Sequence, residues 1–176
     1  MVDTVSVTIS HVIGTTTLII VFISVTMFYT MSYLPLQTEA LAQQLQEVTD
    51  YVSANIVDLV SLCFISPTDQ LLIKGLEMPE NIGTYLYSVT LKNTTNPVTQ
   101  ERLLMVQAFF DSRPSIYKES LLPWSMEGKL KIWNGTEINQ KIQEKFSISS
   151  GASNIVAWAL KQGEEITVGL GAMNTV

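Results

Sequence analysis

The sequence predicts an α+β protein: a long amino-terminal helix followed by an antiparallel β-sandwich. Three observations predict it. Val5 to Leu34 contains no Lys, Arg, Asp or Glu. The stretch from Thr38 repeats its apolar residues at a helical period. From Ser66 onward, short alternating runs are separated by turn residues. The expected division is a transmembrane or filament-core helix over 1–34, an amphipathic helix continuing the rod over 35–65, and a β-sandwich head over 66–176.

The first segment, as a helix, would be about 45 Å long at ~1.5 Å per residue, more than the ~30 Å hydrocarbon core of a bilayer. Its densest part, Thr17 to Tyr33, is apolar on every side rather than along one stripe. Leu18, Ile19, Ile20, Val21, Phe22, Ile23 and Phe28 are its candidate lipid- or helix-facing residues, with Ile13 and Gly14 at the opening. Val, Ile and Thr are stiff at χ1 and mediocre helix formers in water. In lipid a lone segment must nevertheless be helical, because unpaired backbone groups cost several kcal/mol each. Thr15, Thr16 and Thr17 can return their hydroxyls to carbonyls one turn earlier, and with Gly14 they form a small-residue patch where helices could approach closely. A cleaved secretory signal would need a basic start and an apolar core of about 7–15 residues. No Lys or Arg precedes Lys74, so the segment is expected to stay in the working protein. For the same reason charge does not orient it.

Leu41, Leu45, Val48, Val52, Ile56, Leu59 and Cys63 step by three or four residues and form one face of the second helix, with Gln43, Gln44, Glu47, Asp50 and Asp58 mostly opposite. Two starts are open: a cap at Thr38, or a helix running through Pro35 with a kink. The following sheet is the expected cover for the stripe, and a coiled-coil partner is the alternative.

Among the strands, Tyr85, Tyr87, Val89 and Leu91 alternate with Leu86, Ser88, Thr90 and Lys92, the pattern of a strand with one buried face. Leu71–Leu76 is a short apolar run. Asn93–Pro97 is a turn cluster. Leu103–Phe110 is apolar on both faces, as in a central strand. Lys129–Trp133 is followed by the hairpin-type signal Asn134-Gly135. Phe146–Ile148, Ile155–Leu160 and Ile166–Leu170 complete six to eight strands, broken by Ser149–Gly151 and Gln162-Gly163. Glu137–Lys145 fits either a helical turn or an edge strand.

The net charge of −6 argues against nucleic acid as a partner, since Lys129, Lys131, Lys141 and Lys145 are interleaved with acids. One histidine, His11, and one cysteine, Cys63, give no zinc spacing. Cys63 sits among apolar neighbours and is expected to be a packed thiol. Glu164-Glu165 would point to opposite faces of a strand, as in a solvated turn. No nucleophile elbow or phosphate-cradling loop is present. The expectation is a protein without catalytic residues, metal or cofactor. Asn93 and Asn134 head glycosylation sequons in predicted turns, at a frequency chance would give. Trp158 is expected in the core. Trp124, in a loop after Pro123, is expected to pack in the core or at its rim, with the alternative that it is an exposed binding aromatic in a candidate binding loop with Arg113 and Tyr117.

Some stretches resemble a family. Ile13–Ile23 (IGTTTLIIVFI) is similar to the mature N-terminal helix of archaeal flagellins and type IV pilins. Leu86–Val98 and Leu160–Leu170 resemble strand motifs in pilin-like archaellum accessory proteins. Two departures stand beside the likeness: no basic residues and glycine precede a cleavage site at Met1-Val2-Asp3, and the glutamate that bacterial pilins carry near the helix start is absent. The resemblance implies a cell-surface filament subunit or accessory component, without cofactor. Its helix would pack with copies of itself or related pilins, or lie in membrane lipid, and its head would face outward. The alternative is a single-pass anchored module whose head recognises an envelope protein or glycan.

Overall fold

The computed structural model describes residues 2–96, 98–125, 130–135 and 142–173. The fold is α+β: a long amino-terminal helical stretch, then two sheets. Helix α1 covers Val2–Phe28, a π-helical turn covers Tyr29–Tyr33, and helix α2 covers Leu34–Ile65 without a break. Pro35 therefore lies inside the helix and does not end it. In the preceding wide turn the Leu34 N–H reaches back five residues to the Tyr29 carbonyl, the kind of local rearrangement that accommodates a proline's missing donor. Thr38 is not a cap: its hydroxyl donates to the Leu34 carbonyl, 3.1 Å away, within the continuous helix.

The chain divides into two compact units, Met1–Ala40 and Leu41–Val176. The boundary falls within α2, so most of the amphipathic helix belongs to the head rather than to a separate segment. Within the head, β1 (Gln70–Gly75), β8 (Ile155–Gln162) and β9 (Glu165–Met173) run antiparallel in that order. The outer edge of β9 is then shared. Strand β5 (Leu130–Ile132) pairs with residues 166–168 in parallel, and β6 (Ile142–Lys145) pairs with residues 170–173 antiparallel. The second sheet has the order β4 (Arg113–Ser125), β3 (Arg102–Phe110), β2 (Tyr87–Thr95) and β7 (Ser147–Ser149), all antiparallel.

These pairings correct several expectations. There are nine strands among the described residues, and one pair is parallel. Asn134-Gly135 does not close a hairpin, because β5 and β6 both pair with β9 and not with each other. Phe146 is a bend separating β6 from β7. The Ile142–Lys145 part of the undecided stretch is a strand, while 137–141 lies outside the described residues, as do Pro97, Glu127, Lys129 and Thr136. The turn before Glu101 is held by Asn96, whose side-chain oxygen accepts from the Val98 N–H at 2.9 Å.

One core joins α2 to both sheets. Leu45, Val48, Val52, Ile56, Leu59 and Cys63 are buried together with Tyr87, Val89, Val106 and Phe110 of one sheet and Ala157, Ala159, Val168 and Leu170 of the other. Leu41 packs at its margin. The stripe works because its period matches the helix while the strands present alternate residues inward. Strand β3 is central, and its second face is half-covered rather than buried, apart from Gln107, whose amide donates to Glu119 at 2.7 Å. Two polar residues on the buried side of α2 are satisfied locally: Thr49 donates to the Leu45 carbonyl at 2.8 Å and Asn55 to the Tyr51 carbonyl at 2.7 Å.

A smaller cluster forms on the opposite face of the first sheet, where Ile142, Val156 and Trp158 meet Leu71, Trp133 and Leu160. Trp158 lies across its partner Gly169. A Cβ there would come within 2.2 Å of the indole, so only glycine leaves room for the ring. The indole N–H donates to the Leu170 carbonyl at 3.2 Å. Trp158 is thus buried, but in this second cluster and not in the main core.

Candidate functional site

The surface that most needs a partner is the first helix. Every described side chain from His11 to Met31 is exposed, with Leu18, Phe22 and Phe28 each 70% or more accessible. Ile13, Ile19, Ile20, Val21 and Ile23 are exposed beside them. The helix is long and apolar enough to cross a membrane, and none of its most apolar stretch is covered by the rest of the chain. That lack of cover distinguishes it from the core helix of a water-soluble domain.

Five of its hydroxyls turn inward onto its own backbone. Thr15 donates to the His11 and Val12 carbonyls and Thr17 to that of Ile13. Ser24 and Thr26 each bond four residues back at 2.8 Å, and Thr30 bonds to Thr26 at 3.0 Å. A hydroxyl satisfied this way presents mainly carbon outward and makes no demand on water. The sequence singled out the threonine run but not Ser24, Thr26 and Thr30. The signal was available, since any Ser or Thr inside a helix can bond back one turn. Gly14 has nothing within 4 Å of where a Cβ would sit, so its own chain does not require glycine there.

The proposed binding loop is not a loop. Arg113, Tyr117 and Trp124 all lie in β4, an edge strand. Arg113 is exposed, with its guanidinium 5.1 Å from the Tyr85 ring centre, and Tyr117 is also exposed. Trp124 is half-buried, packing on the main core and lying 6.1 Å from the Phe64 ring. The three residues do not converge on one recess. Of the two sequons, Asn93 lies in strand β2 rather than in a turn, and Asn134 is exposed just after β5.

A shallow hollow of about 480 Å³ lies between the end of α2 and β1. Leu62, Ile65 and Ile73 form its apolar wall, and the Lys74–Asp58 ion pair (3.1 Å) lies at its rim. Cys63 is buried with its sulfur 4.0 Å from the Ala159 carbonyl. Burial raises its pKa, partly offset by the positive charge of Lys161, so the thiol stays protonated near neutral pH. Tyr87 is buried with its hydroxyl donating to the Pro79 carbonyl at 2.7 Å. Burial pushes its phenol up to about 12. Among the described residues no three of His, Cys, Asp and Glu come together as metal ligands.

Against known protein families, curated proteins and solved structures, the chain finds no match. The functional reading therefore rests on its own residues.

Proposed function

We propose that the chain is a non-enzymatic, pilin-like cell-surface protein. It would serve as a subunit or accessory component of an archaeal type IV pilus- or archaellum-type filament. Helix α1 packs with copies of itself or of related pilins in the filament core, or lies in the membrane beside the filament base. The head faces outward. The observation that carries this reading is the exposure of an apolar helix on every side, with the hydroxyls of Thr15, Thr17, Ser24, Thr26 and Thr30 bonded back to its own backbone. Each large apolar side chain gains roughly 1.5–3 kcal/mol on burial. The run from Val12 to Leu36 therefore leaves unrealised far more than the ~5–15 kcal/mol that holds a domain folded. Such a surface is covered by lipid or by other helices. The Gly-Thr-aliphatic opening at Ile13–Ile23 supports the pilin-like form of the idea.

The hollow at Leu62, Ile65 and Ile73 favours a second reading, a singly anchored module whose head binds an envelope protein or glycan. Replacing 5–34 with an unrelated membrane helix separates the two. Function is lost if α1 makes the assembly contacts and retained if it is only an anchor. Negative-stain microscopy of full-length material should show filaments. Monodisperse detergent particles under every condition would remove the filament form.

A further inference from the structure

We propose that the π-helical turn Tyr29–Tyr33 marks the level at which α1 leaves the bilayer, with the two tyrosine rings among the lipid headgroups and acyl chains around the helix on its amino-terminal side. The inference rests on α1 being membrane-embedded and adds where its boundary lies and what surrounds it.

Two independent observations fix the boundary. The first is chemical. From Val12 to Phe28 the exposed side chains are apolar or small hydroxyls, and those of Thr15, Thr17, Ser24 and Thr26 bond back to the helix. Beyond it Tyr29 and Tyr33, about half exposed with stacked rings 5.1 Å apart, stand among the last exposed apolar residues of the run, Met31, Leu34 and Leu36. Gln37 and Glu39 follow. A tyrosine ring pairs an apolar body with a hydroxyl and favours the region between acyl chains and water. The second observation lies in the backbone. Leu34 donates to Tyr29 rather than to Thr30, and Pro35 has no N–H, so the turn is one donor short. A carbonyl left without its donor costs several kcal/mol in hydrocarbon but little where water or headgroups reach it. Both features mark the same turn.

The length agrees. About 20 residues span the ~30 Å hydrocarbon core, and counting back from Phe28 reaches Ile9. Asp3 then lies ~39 Å from Tyr29 at ~1.5 Å per residue, inside the ~40–45 Å that includes both headgroup layers.

The test uses the full-length chain in dioleoylphosphatidylcholine vesicles, with single cysteines at Phe22, Thr30 or Gln37 carrying a nitroxide; Cys63 is buried and stays unlabelled. Collisions with dissolved oxygen should dominate at Phe22 and those with a water-soluble nickel chelate at Gln37, with the two balanced at Thr30. Substituting Tyr29→Leu together with Tyr33→Leu should shift the balance point toward Gln37 by about one turn (~5 Å). A balance point a turn or more from Thr30, or one unmoved by the double substitution, overturns the boundary while leaving the membrane reading intact. Exclusion of both reagents at Phe22 overturns lipid as the occupant in favour of packed helices. Nickel dominating at all three positions removes the membrane reading itself.

Discussion

Helix α1 and the buried face of α2 are built from the same kinds of residue and meet opposite fates. Both are rich in Val, Ile and Leu. Phe22 is 70% exposed, whereas Leu45 and Val52 are completely buried. The difference is periodicity. In α2 the apolar residues return every three or four positions, so one face can be covered by the two sheets while Glu47, Asp50 and Asp58 stay in water. In α1 they occupy every side, and no single layer of the same chain could cover them. Total apolarity sets how much surface must be covered. Its angular distribution decides whether the chain can cover it alone.

The comparison breaks most visibly at Leu45. Leu45→Asp should cost about 3–5 kcal/mol by leaving an unpaired charge in the core. The readout is urea unfolding of the full-length protein in mild detergent, followed by tryptophan fluorescence. An unchanged midpoint would show that the α2 stripe does not hold the head together. Next is the small second cluster: Gly169→Ala should cost roughly 1–3 kcal/mol, because the added methyl meets the Trp158 ring. Trp158→Ala in the same background should recover part of that loss as non-additivity in a double-mutant cycle.

Tyr87 gives a pH-dependent effect of similar or smaller size. Its folded pKa of about 12 lies above its ordinary 10.0. Its contribution is therefore complete below pH ~10 and lost as the pH rises through ~12, a full decline of roughly 3 kcal/mol. Tyr87→Phe should remove this alkaline component, and identical alkaline limbs in the two proteins would contradict it. The smallest effect on the head is expected from Phe22→Asp, within about 0.5 kcal/mol in the same unfolding experiment, because the head makes no use of that side chain. Membrane insertion should suffer by about 2.5–3.5 kcal/mol, measured as the fraction of protein floating with vesicles. A head destabilised by Phe22→Asp would erase the contrast between the two helices.

Much of this contrast was legible in the residues. The α2 stripe and the alternation of Tyr87, Val89 and Leu91 are local patterns, and local patterns survive into the structure. Pairing between distant strands leaves no such trace. Nothing near Leu130–Ile132 announces a parallel partner at Ile166–Val168, and Asn134-Gly135 imitates a hairpin that does not form. Strand β4 was concealed by Pro114 and Pro123, which suggest loop. An edge strand tolerates proline because the missing N–H can fall on its unpaired side. The room for Trp158 was invisible for another reason: Gly169 lies across a strand pair, and its meaning depends on knowing its neighbour. Pro35 leaves two starts open in the sequence, a cap at Thr38 or a helix running through it with a kink, and the structure takes the helix through it by way of one turn of changed hydrogen-bond spacing.

Strand β9 joins β8 on one side and both β5 and β6 on the other. During folding, then, two of the earlier strands have no template in their own sheet until this later segment arrives. Helix α2 can wind from neighbours alone, while half of the head waits on contacts spanning long stretches of chain, an ordering that favours slow closure. A single strand thereby acts as a checkpoint for one side of the first sheet: β1 can meet β8 without it, but β5 and β6 stay loose ribbons until its docking gives them a wall.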